Sequence, residues 1–287
     1  MKLLLLLALW AWPGPAPAPV RLKLPTQPLV RSQVMLLGES HRQLGSVRAL
    51  AASLPDLRAA GVAVVGIEGL KAPAQAAVDD YVLGGAAALP EESLNFSPQR
   101  RDAFRELFEK ARREGVRLLA MGLPLDHWGK QVAELTGTEP ASLADQVHRA
   151  GETYEPGYNE AVAEVALRRR NQYMAERLKK EMSPSAKAVV LVGHAHVSRP
   201  PPMDYSHLNV DVSRYGHLGQ ELLERGLSAY SLTLLGGAFI TPKDAIDHYW
   251  LLKGAYQLPD GDLAADAGIH RLNSPAPLGT ASEVRTR

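Results

Sequence analysis

The chain has 287 residues, of which 46% are hydrophobic and 22% charged, a composition typical of a globular protein rather than a disordered or fibrous one. Its 32 Lys and Arg residues and 31 Asp and Glu residues leave a formal charge of +1, which gives no overall electrostatic reason to expect a nucleic-acid partner. Cysteine is absent, which excludes disulfides, thiolate metal ligands and a cysteine nucleophile.

Residues 1–18, MKLLLLLALWAWPGPAPA, have one positive charge, a short apolar core, and then small residues and prolines. This layout predicts a secretory signal peptide, because the apolar run is short for a membrane-spanning helix. An uncleaved N-terminal anchor is the alternative. We therefore expect an exported protein, periplasmic or secreted, that contacts a membrane only through an uncleaved N-terminus.

Short, almost entirely apolar runs follow, and they do not alternate with polar residues. Strands that are buried on both faces of a helix-covered parallel sheet have this pattern. The runs are Val34–Leu37, Val62–Ile67, Val116–Met121 and Ala188–Val192, with a less regular fifth at Ala229–Leu235.

Helical patterns separate these runs, and glycine ends several of them just before the next strand. The predicted helices are Ser46–Ala60, Ser97–Arg113, Pro156–Glu181 and Ser213–Arg225. The alternation predicts an α/β fold with a central, mostly parallel sheet flanked by helices. We expect one domain over residues 30–254, with a helical excursion in the middle at Leu123–Tyr154, and a loosely ordered tail over residues 255–287.

Polar side chains follow the predicted strands at the edge of the sheet where α/β proteins bind ligands. The candidate residues are Glu39, Ser40 and His41 after the first strand, Glu68 at the end of the second, Asp126 and His127 after the third, and His194 and His196 after the fourth. Each has a structural interpretation when taken singly: Glu39 can cap the next helix, Glu68 can pair with an arginine, and a histidine can belong to a loop. Their shared placement at one edge favours an active site.

Three consecutive arginines, Arg168, Arg169 and Arg170, lie in the long predicted helix. The ordinary interpretation is a solvated basic face. One of them, for which Arg170 is our candidate, could instead turn toward the sheet edge and hold a carboxylate or an oxyanion.

Between Val34 and Gly237 the sequence resembles the superfamily of ChaN-like haem-binding lipoproteins, TraB/PrgY and Tiki proteins and, more distantly, the erythromycin esterases. The resemblance rests on two Gly-x-x-His motifs, Gly38–His41 and Gly193–His196, and on Glu68 at the end of the second strand. RNQYMAERL looks like the family's Arg-Asp-x-x-Met-Ala helix, and GHLGQELLERGLSAYSLTLL looks like its C-terminal strand-pairing segment. Asn171 stands where many members have Asp.

The resemblance implies different activities in different branches. Tiki-like members are metal-dependent proteases that use the two motif histidines and the strand-two glutamate, erythromycin esterase-like members open a lactone ring, and ChaN-like members bind haem between two subunits. The Tiki branch implies a site for zinc, manganese, cobalt or iron held by His41, Glu68 and His196. Glu39 would then act as general base, and His194 or Arg170 would stabilise the oxyanion. Without metal, His41 oriented by Glu39 could activate water directly.

We therefore predict a hydrolase of amide or ester bonds, acting on a small-molecule or peptide substrate and favouring a divalent metal. The alternative is an exported haem- or iron-binding protein without catalysis, for which Tyr81, Tyr154 and Tyr158 are candidate axial ligands and a homodimer is implied. A third option is a scaffold that keeps the fold for protein contacts.

Overall fold

The structure is a computed structural model that describes residues 23–39, 45–89, 98–139, 156–197, 210, 212–236 and 268–272. The predicted signal peptide or anchor, residues 40–44 with His41, and most of the C-terminal tail therefore lie outside the described residues. No helix within the described part is both long enough and apolar enough to cross a bilayer.

A single sheet of parallel strands forms the centre of the protein, in the order β3-β2-β4-β1-β5-β6. The strands are β1 (Val34–Glu39), β2 (Val62–Lys71), β3 (Arg117–Gly122), β4 (Lys187–Gly193), β5 (Ala229–Gly236) and β6 (Gly268–Leu272). All five predicted strands are present, and the predicted α/β fold is confirmed. The sixth strand comes from within the predicted tail.

Helices precede, connect and flank these strands. They are α1 (Pro28–Arg31), α2 (Gly45–Ala59), α3 (Gln75–Val82), α4 (Pro98–Glu114), α5 (Leu125–Thr136), α6 (Pro156–Glu164), α7 (Arg170–Glu181) and α8 (Leu218–Glu224). The predicted excursion contributes α5, and its residues 140–154 lie outside the described part.

Two apolar layers cover the two faces of the sheet. On one face, Met35 and Leu37 of β1 share a buried core with Leu50 of α2 and Phe104 of α4. On the other face, the alternate β1 residue Leu36 packs into a second core with α7 and α8. Because successive side chains of a strand point to opposite faces, the position of a residue along its strand decides which helices it meets.

Three predicted elements differ from the structure. Strand β2 does not end at Glu68 but continues to Lys71, because a register shift after Ile67 lets it keep pairing with β3 after it leaves β4. The long helix contains a π-helical segment, Val165–Arg169, between α6 and α7. The last predicted helix is instead a 3₁₀ turn, Val212–Tyr215, followed by the shorter α8, because Gly216 takes a positive φ of 70° that interrupts a helix.

After the paired strands β1 and β4 the chain continues toward opposite edges of the sheet. After β1 the chain crosses β4 to reach β2, whereas after β4 it crosses β1 to reach β5. The helices that follow therefore lie on opposite faces of the sheet, and the carboxyl ends of these two strands form a topological switch point, where open α/β sheets usually bind ligands. The two Gly-x-x-His motifs begin at this switch point of the sheet.

Candidate functional site

Gly193, the last residue of β4, lies between the two candidate glutamates. In the sheet it is the register partner of Glu39 on β1. On its other side its backbone N–H donates to Oε2 of Glu68, with an N–O distance of 2.7 Å. The hydrogen bond to Glu68 forms beyond the last β2–β4 pair, Ile67 with Leu191, so the carboxylate takes the place of the next ladder partner.

Glu68 is the centre of a buried polar group that we call the Glu68 cluster, made of Glu68, Arg170, Asn171 and His196. Arg170 donates to Oε1 of Glu68, and Nε2 of His196 lies 3.2 Å from the same oxygen. Nδ1 of His196 lies 2.7 Å from Oδ1 of Asn171. Glu68 is only 1% exposed, so its charge is held by these partners rather than by water.

The cluster brings together three of the predicted site residues, Glu68, Arg170 and His196, and gives Asn171 a role. One carboxylate and one guanidinium balance each other, so the cluster is neutral when His196 is neutral. An aspartate at position 171 would add a negative charge that an imidazolium would have to balance. The departure from the family pattern therefore leaves position 171 uncharged.

The orientation of Arg170 follows from the helix that carries it. The π-helical segment Val165–Arg169 comes immediately before it, and such segments shift the facing of the residues that follow. Trp128 of α5 supports the guanidinium, whose Cζ lies 5.2 Å from the indole ring centroid. Arg168 and Arg169 instead meet Glu164 and Glu134 near the surface.

Glu39 belongs to a second group, which we call the Glu39 pair. Its Oε1 accepts from Nη2 of Arg100 at 3.1 Å, and its Oε2 accepts from the hydroxyl of Ser46. Glu39 is 2% exposed and Arg100 is 7% exposed. Because Ser46 lies in the first turn of α2, this side-chain hydrogen bond ties the end of β1 to the start of the helix.

The two glutamates share one edge of the sheet but contact opposite helical layers. Glu39 is in phase with Met35 and Leu37 and meets α2 and α4, whereas Glu68 is in phase with Val64 and meets α7. Among the described residues the two glutamates therefore form separate ion pairs, one with Arg100 and one with Arg170, because strand alternation sends the two side chains to different faces.

Arg100 is a residue that the sequence interpretation missed. It is in phase with the apolar stripe of α4, four residues before Phe104, and its Cζ lies 5.2 Å from that ring's centroid. A charged residue on the same helix face as buried apolar residues predicts a buried ion pair. The spacing of Arg100 from Phe104 could therefore have identified Arg100 from the sequence.

His41 and the side chain of His194 lie outside what the structure describes; the His194 backbone opens the 3₁₀ turn His194–His196. His127 is 59% exposed on α5, and its Nδ1 lies 3.4 Å from Asp126. No group of three or more acidic or histidine side chains within the described residues has the arrangement of a metal site.

A divalent metal fits poorly between Glu68 and His196 as they are placed here. Glu68 already accepts hydrogen bonds on both oxygens, one of them from a guanidinium, and Nε2 of His196 faces the same carboxylate. A dication there would have to displace Arg170 or lie beside its positive charge. The described arrangement of Glu68, His196 and Arg170 therefore does not favour a divalent metal.

Lys71 ends β2 on the same edge, as the register partner of Gly122 at the end of β3. A Cβ placed on Gly122 would collide with the Glu68 carbonyl oxygen and come within 2.9 Å of Cδ of Lys71, so the lysine stem packs against the glycine. Burial lowers the pKa of the Lys71 amine from its usual value, and no acidic neighbour among the described residues opposes that shift.

Lys71→Met is expected to be most beneficial for stability near neutral pH. The unfolded chain binds the lysine proton more tightly than the folded one, so wild-type stability rises with pH between the lowered pKa and the ordinary 10.5. The difference in unfolding free energy between variant and wild type should therefore shrink as pH rises through this window. Urea titrations at several pH values measure it, with Lys187→Met as control, and a difference that does not change with pH would contradict the prediction.

Glu39→Gln is expected to lower the free energy of unfolding by about 1–3 kcal/mol, because it leaves the buried Arg100 guanidinium without its counter-charge. A carboxylate kept for chemistry at the expense of stability would instead give an unchanged or slightly more stable variant. Urea denaturation beside the exposed control Glu109→Gln decides between these outcomes.

The fold and this edge define a class of protein: a parallel α/β domain whose polar residues collect at the carboxyl ends of its strands. A family model described as "Haem-binding uptake, Tiki superfamily, ChaN" matches residues 26–168. The chain belongs to this superfamily, as its motifs predicted. The matched segment includes Glu39, His41 and Glu68 and ends just before Arg170.

Solved structures resemble this chain at low sequence identity. ChaN of Campylobacter jejuni, from a structure titled as showing cofacial haem binding, has a TM-score of 0.50 and 15% identity over 76% of this chain and 87% of its own. An erythromycin esterase mutant in its open conformation has a TM-score of 0.46 and 14% identity over 77% of this chain and 76% of its own. No curated protein matches the chain.

Proposed function

We propose that this protein is a hydrolase of amide or ester bonds whose reaction takes place at the carboxyl ends of β1 and β4. One observation carries the proposal: Gly193 is fixed between Glu39, its register partner, and Glu68, which accepts its N–H. This arrangement anchors the start of the second Gly-x-x-His motif beside the start of the first, at the sheet edge where α/β enzymes bind substrates.

The described side chains and the histidines His41 and His194 have separate roles in this proposal. Glu39, Glu68 and Arg170 are engaged in buried ion pairs, and both ring nitrogens of His196 face oxygen atoms. These residues therefore position the two motifs rather than react. His41 acts as the general base that activates water, and His194 donates to the oxyanion as it forms.

Turnover of ester and amide substrates by the untagged protein tests this proposal. We expect hydrolysis of activated esters or peptide amides that persists after treatment with a chelator, because the proposed base is an imidazole. Elemental analysis of the same sample would reveal a resident transition metal. Stoichiometric metal with chelator-sensitive turnover would replace the metal-free proposal by a metal-dependent one, and no turnover on either substrate class would refute the hydrolase.

Haem binding is the second candidate function, because the family model and the ChaN fold both point to it. The described tyrosine candidates fit an axial role poorly: Tyr81 and Tyr158 are only 8% and 7% exposed and belong to apolar cores. Tyr154 lies outside the described part of the chain. Titration with haemin tests this function; a saturable Soret band that survives Tyr81→Phe and Tyr158→Phe would support haem binding through another ligand.

The exported location, the small-molecule or peptide substrate and a homodimer remain proposals. Fractionation of the cells that produce the protein tests the first, because a periplasmic or secreted protein separates from the cytoplasm. Light scattering with and without haemin tests the last.

A further inference from the structure

Every acidic residue at the described edge of the sheet has a cationic or polar partner. Arg100 pairs with Glu39, and Arg170 pairs with Glu68, so each ion pair is neutral. Asp126, after β3, contacts His127 and is 66% exposed to solvent. Within the described part of the chain, none of these carboxylates pairs with Lys71.

Lys71 is the additional cation at this edge. Its stem packs on Gly122, a glycine that the backbone carbonyl oxygen of Glu68 also approaches closely, so the lysine lies at the end of the strand that carries Glu68. Within the described chain it forms no hydrogen bond or ion pair, and burial lowers the pKa of its amine. An ammonium group that has lost part of its hydration without gaining a counter-ion is stabilised by an arriving anion.

We propose that Lys71 binds an oxyanion, a carboxylate or a phosphate group carried by the ligand at the carboxyl edge of the sheet. The inference deepens the proposed function, since it makes the substrate an anionic ester or amide. It depends on Lys71 and its surroundings alone, so it can hold even if the protein proves not to be a hydrolase.

An anion that binds only the folded chain raises its thermal stability, which gives a measurement independent of turnover. We expect inorganic phosphate or acetate to raise the melting temperature of the full chain by roughly 2–5 °C relative to chloride at equal ionic strength, once the anion exceeds its dissociation constant several-fold. A response to acetate alone identifies a carboxylate ligand, and a response to phosphate alone identifies a phosphate ligand.

Three variants assign this response to Lys71. Lys71→Met should abolish it, and Lys71→Arg, which keeps the charge and adds donors, should retain it. Lys187→Met is the matched control, because Lys187 begins β4 at the opposite end of the same sheet. The absence of a response to either anion in wild type, or a response that survives Lys71→Met, would overturn the proposal.

The hydrolysis assay separates this inference from the proposed function. If no ester or amide is cleaved but phosphate or acetate still stabilises wild type and not Lys71→Met, the hydrolase fails and the anion site stands. If neutral substrates are cleaved equally by wild type and Lys71→Met and no anion stabilises either, the hydrolase stands and the anion site fails.

Discussion

Glu68→Ala is expected to lower the free energy of unfolding by about 3–5 kcal/mol, the largest change in stability that we predict. The substitution removes the carboxylate that pairs with the largely buried guanidinium of Arg170 and the acceptor of the Gly193 N–H. It also removes the oxygen that faces Nε2 of His196. Urea denaturation measures the loss, and Glu109→Ala on the exposed face of α4 is the matched control, expected within about 0.5 kcal/mol of wild type.

A double variant separates the loss of charge balance from the loss of packing. Replacing both members of a buried ion pair by apolar residues costs less than removing one, because no uncompensated charge remains. Glu68→Leu combined with Arg170→Met should therefore be more stable than the sum of the two single changes predicts. Additive losses in this cycle would show that the Glu68–Arg170 contact contributes little to stability.

His41→Ala and His194→Ala are each expected to reduce hydrolysis by roughly 10²–10⁴-fold, the usual contribution of a general acid or base. Their melting temperatures should remain close to wild type if the two side chains serve the reaction rather than the fold. The ratio of kcat/KM values measures the effect, and His127→Ala on exposed α5 is the control expected to keep full activity. Full activity in both His41→Ala and His194→Ala would refute the catalytic roles assigned to these two histidines.

A pH profile adds a second test of the same two residues. If a neutral His41 is the base, kcat/KM should rise with pH through the histidine range and then level off. The rising limb should disappear in His41→Ala but remain in His127→Ala. A profile that is identical in all three proteins would place the base elsewhere.

The sequence by itself determined the strands and the edge at which polar residues collect. Runs such as Ala188–Val192 are short and apolar throughout, which is the pattern of a strand covered on both faces of a sheet. The local sequence was therefore sufficient to predict these strands. The motif glycines and the following glutamates and histidines then fell at strand ends, and the two Gly-x-x-His motifs identified the superfamily. These features depend on residues that are close together along the chain.

The tertiary structure decided which partners the glutamates meet. Glu39 lies 61 positions from Arg100, and Glu68 lies 102 positions from Arg170, so no local pattern connects them. The face to which each glutamate points depends on strand register, and the direction of Arg170 depends on a π-helical segment that the run of three arginines does not reveal. Lys71 likewise became a candidate only when the extension of β2 placed it beside Gly122. Charge balance at this edge is therefore a property of long-range packing, because an ion pair forms only where the fold brings two distant side chains out of water together.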